Sequence, residues 1–257
     1  MNFRALFLLP AGEKEGTLKE ARGVNLQRVW MTAGMVAALD LAYFLWFLFM
    51  PEGASPVERQ WGESIQTIHF VSLLVMLLFF GVATWLRRRK TGMGVQFLLE
   101  ALFLVWVLSL GISLATADQR VTNNITPFLV ACVAVGALFH LRPPVALTIF
   151  ALAALDFSLS LGLTQDDPAL LLSNRINGIT TCILGFGISY AFWRSFLQRR
   201  IQRVRIESQA EELARVNGEL AEMAFHDPLT GLPNRRHLDE RVRTEAAAAR
   251  RRGTTSC

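Results

Sequence analysis

Residues 65–90 read IQTIHFVSLLVMLLFFGVATWLRRRK, a mostly apolar run that ends in four consecutive basic residues. Its length matches the ~20 residues that an α-helix needs to cross about 30 Å of hydrocarbon. Similar runs recur along the chain. Hydrophobic residues make up 52% of the sequence and charged residues only 18%, which is too little charge to cover a soluble protein of 257 residues. The sequence therefore predicts an all-α, polytopic membrane protein.

We predict a six-helix transmembrane bundle that forms a sensor domain over residues 29–197. Pro143 and Pro144 separate the fourth span from the fifth, because two prolines end a helix. The fourth span is the shortest. The predicted spans are residues 29–50, 65–86, 95–115, 125–141, 144–163 and 176–197.

Basic residues set the predicted orientation. They concentrate in residues 1–28, in residues 87–90, at Arg142 and after residue 193, whereas the intervening loops carry mainly acids. Basic loops stay on the cytoplasmic side, so both termini are expected there, and residues 1–28 are expected to form a cytoplasmic lead-in. Trp30, Trp85 and Trp193 fall at the predicted inner ends, where an indole can lie among headgroups. The net charge of +5 thus indicates membrane topology and not nucleic-acid binding.

Three carboxylic acids, Asp40, Glu100 and Asp156, fall inside predicted spans with no Lys or Arg at comparable depth. Unpaired acids are costly in hydrocarbon, so we expect all three to face the bundle interior. They are candidates for an intramembrane site that senses a proton, a cation or a cationic ligand. The alternative is that they are neutral acids hydrogen-bonded between helices.

Other residues inside the spans are expected to be structural. His69 and His140 fall at opposite ends of their spans, which argues against shared ligation of one haem or metal. Gly111, Gly185 and Gly187 are expected to permit close helix packing. The three cysteines show neither disulfide nor zinc spacing, because two lie in apolar runs and Cys257 ends the sequence.

Residues 198–226 are predicted to form a helical stalk. No proline or glycine lies between Gly187 and Gly218, so the last span can continue to Phe225, about 40 Å beyond the membrane at ~1.5 Å per residue. Apolar residues at heptad spacing favour a parallel coiled-coil homodimer. A single amphipathic linker helix is the alternative. The seam consists of Ile206, Leu213, Val216, Leu220 and Met223.

Residues 227–236 read DPLTGLPNRR. Pro228 disfavours helical geometry at Asp227 and thereby ends the stalk helix. Thr230 and Gly231 begin a turn, and Asn234 can cap a new helix that runs to about residue 252. The residues alone thus predict a helix, a rigid turn and a second helix.

This decapeptide resembles the opening of the GGDEF domain, the catalytic domain of bacterial diguanylate cyclases. The resemblance covers residues 227–236 and the helix after them, and it implies that residues 227–257 are the N-terminal fragment of an α/β domain. It also implies a turn that fixes the catalytic domain to its stalk. The residues of that turn would be Asp227, Leu229, Thr230, Leu232, Asn234 and Arg235.

The resemblance implies a multi-pass protein of the bacterial inner membrane. Its parent would convert two GTP to cyclic di-GMP, with magnesium, when a signal brings two catalytic domains together. The family's metal ligands and signature lie further downstream, so no catalytic or metal-binding residue is expected here. The chain by itself is expected to be inactive and to need no cofactor. Its expected partners are membrane lipid, a second copy and an unidentified signal ligand.

Three alternatives differ in class. The chain could be a non-catalytic membrane receptor, or a decoy that pairs with intact protomers through the stalk. It could also be a small six-helix transporter built around the intramembrane acids. A histidine kinase is disfavoured, because His226 precedes Asp-Pro-Leu-Thr and not the Glu-x-x-x-Pro pattern that surrounds a kinase histidine.

Overall fold

The computed structural model describes residues 11–49, 55–89, 91–225 and 235–252. Every regular element in these residues is an α-helix. The helices are α1 (Ala11–Phe49), α2 (Pro56–Arg88), α3 (Met93–Asp118), α4 (Thr126–Leu138), α5 (Pro143–Leu161), α6 (Pro168–Phe225) and α7 (Arg235–Arg252). The predicted all-α fold is confirmed over this part of the chain.

Five of the described helices are long and apolar enough to cross a membrane, so the predicted membrane character is confirmed. They are α1, α2, α3, α5 and α6. The fourth predicted span is wrong in length, because α4 has 13 residues and ends at Leu138. Thirteen residues rise only about 20 Å as a helix. The break predicted at the proline pair is confirmed, with Pro143 as the first residue of α5.

Helix α1 begins well before the predicted span. Its buried residues recur every four positions from Thr17 to Ala37, a stripe that runs through the residues expected to form a separate lead-in. Each step of four residues advances about 40° around an α-helix, so these residues form a stripe that winds slowly along a single helix. Residues 11–28, which were expected to form a separate lead-in, are thus continuous with the first span in α1; their cytoplasmic location stays a prediction. The buried stripe is Thr17, Ala21, Asn25, Val29, Ala33 and Ala37.

Glycines on α6 receive phenylalanines from α5. A methyl group at Gly185 would lie 2.5 Å from Phe150 Cε1, and one at Gly178 would overlap the Phe157 ring. The two glycines are seven residues apart, and so are the two phenylalanines. The later glycine meets the earlier phenylalanine, as expected for antiparallel helices. The prediction of close packing is confirmed at Gly185. At Gly187 it is wrong for the part of the chain that the structure describes, where no atom lies within 4 Å of an added methyl group.

The third glycine predicted to permit close packing, Gly111, also does so. It lies against α4, where a methyl group on Gly111 would be 2.8 Å from Ala131 Cβ. Phe128, one turn earlier on α4, stacks on Phe157 of α5 with ring centroids 4.2 Å apart. Helices α3, α4 and α5 are therefore joined by a small residue and an aromatic pair at the start of α4.

The chain divides into two compact units, residues 1–198 and 199–257. The first contains the apolar core, formed by residues such as Met76, Phe103 and Phe128. The second contains the remainder of α6, and α7. Helix α7 coincides with the range expected for the helix after the turn. Of the predicted turn, Asp227, Leu229, Thr230, Leu232 and Asn234 lie outside the described residues, and Arg235 begins α7.

Candidate functional site

Polar side chains of α1 satisfy the backbone where α4 stops. The Asn25 side chain donates to the His140 carbonyl oxygen at 3.3 Å and accepts from the His140 backbone N–H at 2.9 Å. Arg28 donates to the Leu138 carbonyl oxygen. A carbonyl at a helix end has no intrahelical partner, and an unsatisfied one is costly in an apolar setting. Asn25 and Arg28 of α1 therefore satisfy backbone groups that the break between α4 and α5 leaves without intrahelical partners.

The same region holds an ion pair. Glu100 on α3 is 3% exposed, and its carboxylate accepts from Arg22 at 2.7 Å and from Asn25 at 2.8 Å. The Arg22 guanidinium also lies 4.1 Å from the centre of the Phe97 ring. The expectation that Glu100 has no cationic partner is wrong. The expectation failed because α1 begins before the predicted first span, and its early turns bring Arg22 beside Glu100.

We refer to Arg22, Asn25, Glu100 and His140 as the Arg22–Glu100 cluster. It borders a cavity of about 10 Å³, which is room for roughly one water molecule. Trp193 of α6 lines this cavity and is buried, so its expected place among headgroups is wrong. The His140 ring stacks on Phe196 of α6 with centroids 4.5 Å apart. The cluster thus joins α1, α3 and the α4–α5 break to α6, five residues before the bundle unit ends.

A second buried group joins α1 to α2. Asp40 Oδ1 lies 2.8 Å from His69 Nδ1, and Asp40 Oδ2 accepts from the Ser72 hydroxyl at 2.6 Å. All three residues are buried, and Tyr43 stacks on the His69 ring at 4.9 Å. We call Asp40, His69, Ser72 and Tyr43 the Asp40–His69 cluster. Asp40 therefore faces the interior as expected, and its partners come from the facing helix α2.

Asp156 belongs to neither cluster. Its side chain is exposed on α5 and accepts from the Ser160 hydroxyl at 3.2 Å, one turn further along the same helix. The expectation that Asp156 faces the interior is wrong. The buried face of α5 is set by Ala146, Phe150, Ala153 and Phe157, and position 156 falls outside that spacing. The three candidate acids do not form one site.

An amide network not expected from the sequence links α3, α6 and the loops at the other end of these helices. Gln165 donates to Gln119 at 3.1 Å and to Asn123 at 2.7 Å, and Asn174 donates to Gln119 at 2.8 Å. Asn123 has a positive φ of 53°, a conformation that asparagine tolerates better than most residues. The one sequence signal was the concentration of Asn and Gln in the loop after α3, at Gln119, Asn123 and Asn124.

The predicted seam of the stalk lies on the surface of its unit. Ile206, Leu213, Leu220 and Met223 are each more than half exposed, and Val216 is partly buried. On the same helix Arg215 pairs with Glu212 at 2.7 Å and with Glu219 at 2.6 Å. These pairs are three and four residues apart and support the single helix. Among the described residues, the seam is therefore exposed at four of its five positions.

The contacts made by these groups are hydrogen bonds, ion pairs and ring contacts between helices. In the described ranges, no group of three or more His, Cys, Asp and Glu side chains could hold a metal ion. His69 and His140 belong to different clusters. Both clusters place polar contacts between helices, and the Arg22–Glu100 cluster reaches the helix that continues beyond the bundle.

Comparisons with known proteins give no family for this chain. No family model matches it, and neither a curated protein nor a solved structure does. A functional proposal must therefore depend on the residues and contacts described above.

Proposed function

We propose that this chain is the membrane sensor portion of a diguanylate cyclase. The observation that carries the proposal is helix α6, which runs unbroken from Pro168 in the bundle to Phe225. The next residues are those that resemble the start of a GGDEF domain. One continuous helix provides a mechanical link between a membrane bundle and the domain that follows it.

Contacts at the end of the bundle favour a sensing role. Helix α6 meets the Arg22–Glu100 cluster through Trp193 and through Phe196, which stacks on His140. A change at this cluster alters the packing of α6 directly before residues 199–225. Packed helices have discrete arrangements, so a small change at such a contact can bias one arrangement over another. The sensed signal would act by shifting that balance.

The stalk gives the proposed output. Its exposed apolar residues at heptad spacing suit a parallel homodimer, which would bring two catalytic domains together. In the family, each domain holds one GTP, and each 3′-hydroxyl attacks the α-phosphate of the other nucleotide. Magnesium and the residues that bind GTP belong to the parent's catalytic domain. Residues 198–226 would position that domain and take no part in the chemistry.

We propose six membrane crossings with both termini in the cytoplasm of a bacterial inner membrane. Helix α4 provides about 20 Å of the fourth crossing, and the four non-helical residues 139–142 add up to about 13 Å. Phe139 and Arg142 both have extended backbone angles. This crossing can therefore approach the thickness of the hydrocarbon, because Asn25 and Arg28 of α1 bond backbone groups of residues 138 and 140.

The first test is the native protein, purified from its own membranes. We expect an intact mass well above the 28.7 kDa of this sequence and production of cyclic di-GMP from GTP and magnesium. Mass spectrometry measures both. A larger protein that makes no cyclic di-GMP would overturn the proposal. A protein of 28.7 kDa would overturn it in favour of the receptor or decoy alternative, whereas substrate flux in proteoliposomes would favour a transporter.

The stalk is tested in the full chain by replacing both Leu213 and Leu220 with Asp. Charges in a coiled-coil seam repel across the interface, so we expect loss of the dimer measured by crosslinking in the membrane. The matched control adds the same two charges off the seam, as Ser208→Asp and Ala214→Asp, both exposed positions. Equal crosslinking in the two double variants would contradict the stalk dimer.

A further inference from the structure

Two cysteines that are distant in the sequence meet inside the bundle. Cys132 on α4 and Cys182 on α6 are both buried free cysteines, and their side chains lie close enough to interact electrostatically. Neither residue contributes to the two polar clusters. Their spacing in the sequence gave no indication of a pair, since fifty residues and all of α5 separate them.

The backbones of the two helices approach closely beside this pair. One turn after Cys132, a methyl group on Gly136 would lie 2.6 Å from the Gly185 carbonyl oxygen. A methyl group on Gly185 would lie 3.2 Å from the Cys132 carbonyl oxygen. Disulfides require Cα atoms about 4.4–6.8 Å apart, a separation that ordinary helix packing at 8–10 Å between axes seldom gives. Glycine-to-backbone contacts of this kind let two helices approach closely, and here they lie within one turn of both cysteines.

Each cysteine is followed directly by an exposed apolar residue. Val133 and Ile183, the residues that follow the two cysteines, are 48% and 64% exposed. Both are aliphatic, so α4 and α6 each present an apolar side chain next to the cysteine. An oxidant dissolved in hydrocarbon can approach from there, whereas a charged oxidant in water cannot.

We propose that Cys132 and Cys182 are an intramembrane redox site, which a lipid-soluble quinone converts reversibly to a disulfide. The two thiols lose two protons and two electrons as the sulfur–sulfur bond forms. The quinone takes up both electrons and both protons and becomes the hydroquinone. The disulfide ties α4 to α6, the helix that continues to Phe225. This inference is independent of the proposed cyclase function, because it concerns only the bundle.

The experiment uses the full chain, reduced and reconstituted in lipid nanodiscs, with decylubiquinone as the probe. After treatment the protein is unfolded, free thiols are alkylated, and its peptides are mapped without reduction. We expect loss of both alkylatable thiols at positions 132 and 182 and a linked peptide lighter by two hydrogens. Mercaptoethanol is expected to restore both thiols, and oxidised glutathione, which stays in water, is expected to leave the pair reduced.

Three variants test whether the position of the thiols matters. Cys257→Ser is expected to keep the linked peptide, and Cys182→Ser is expected to abolish it. The matched control Cys132→Ser with Val133→Cys moves one thiol to the exposed side of α4, and it too is expected to abolish the link. Free thiols in the quinone-treated parent chain would overturn the proposal. A link between two copies, or an equal link in the matched control, would also overturn it.

Discussion

Helix α6 has two halves that differ in what surrounds them. In the bundle its buried residues include polar Thr181 and Ser189 together with Trp193, and its glycines accept phenylalanines from α5. Beyond residue 198 most of its apolar residues are exposed, and its side-chain contacts include ion pairs along the helix itself. The first half is stabilised by tertiary packing, and the second by local pairs and helix propensity.

This difference shows where the chain can tolerate change. A substitution in the bundle disturbs several helices, since glycine notches and buried polar groups have fixed partners. A substitution in the stalk affects one helix unless it removes a contact with another copy. The following predictions test that contrast, and each compares variants of the full chain in detergent micelles by the free energy of unfolding or the unfolding midpoint.

The largest effect is expected from Arg22→Met. It leaves the buried Glu100 carboxylate without its cation, which typically costs about 3–5 kcal/mol of unfolding free energy. Adding Glu100→Gln to the same variant should recover much of that loss, because the unpaired charge is then gone. The control is Lys19→Met, an exposed position on the same helix. Equal losses for the two single variants would contradict a buried ion pair.

Gly178→Val is expected to be next in size. The added side chain overlaps the Phe157 ring, and overpacking of this kind costs about 1–3 kcal/mol. Gly187→Val is the matched control, because it makes the same change on the same helix where no neighbour lies within 4 Å. If the control lost as much stability as Gly178→Val, helix propensity rather than packing would explain both results.

Ser72→Ala tests the Asp40–His69 cluster. It removes one hydrogen bond to the buried Asp40 carboxylate, and interhelical hydrogen bonds in membrane proteins contribute roughly 0.6–1.7 kcal/mol. Ser64→Ala on the same helix removes only a bond to the backbone of its own preceding turn and should have a smaller effect. Identical unfolding midpoints for both variants and the parent would show that the cluster adds no stability.

The smallest effect is expected from Arg215→Gln. Its ion pairs with Glu212 and Glu219 are exposed on the stalk, and such pairs are screened by salt. We expect no measurable shift in the unfolding midpoint of the bundle. A shift as large as that of Ser72→Ala would mean that the two halves of α6 are not energetically independent.

Much of the fold could be predicted from local pattern. The apolar runs, the proline break and the continuation of the last span to Phe225 all depend on residues near one another in the sequence. The early start of α1 was missed because charged residues lie between the residues that recur every four positions, so residues 11–28 do not form an apolar run. Their charges lie on the other faces of the helix, or, for Arg22, pair with a distant acid.

The candidate site could not be predicted in the same way. Arg22 and Glu100 are 78 residues apart, and nothing local in either segment indicates the other. The same holds for the two buried cysteines. Asp40 was correctly expected to face the interior. The same expectation failed for Asp156, because the buried position on α5 is the next residue, Phe157, and apolar residues occur on both faces of that helix. Long-range partners depend on how the helices pack, which the sequence specifies only collectively.

The hydrogen bonds from Asn25 and Arg28 to the α4–α5 break have a consequence for biogenesis. A chain is synthesised from its N-terminus, so Asn25 and Arg28 are made more than a hundred residues before the backbone groups that they bond. These partners are therefore already present when the free backbone groups of residues 138–140 arrive. The short helix α4 can insert because its partner precedes it. If residues 11–28 were moved to the end of the chain, the same contacts would form too late to assist that insertion.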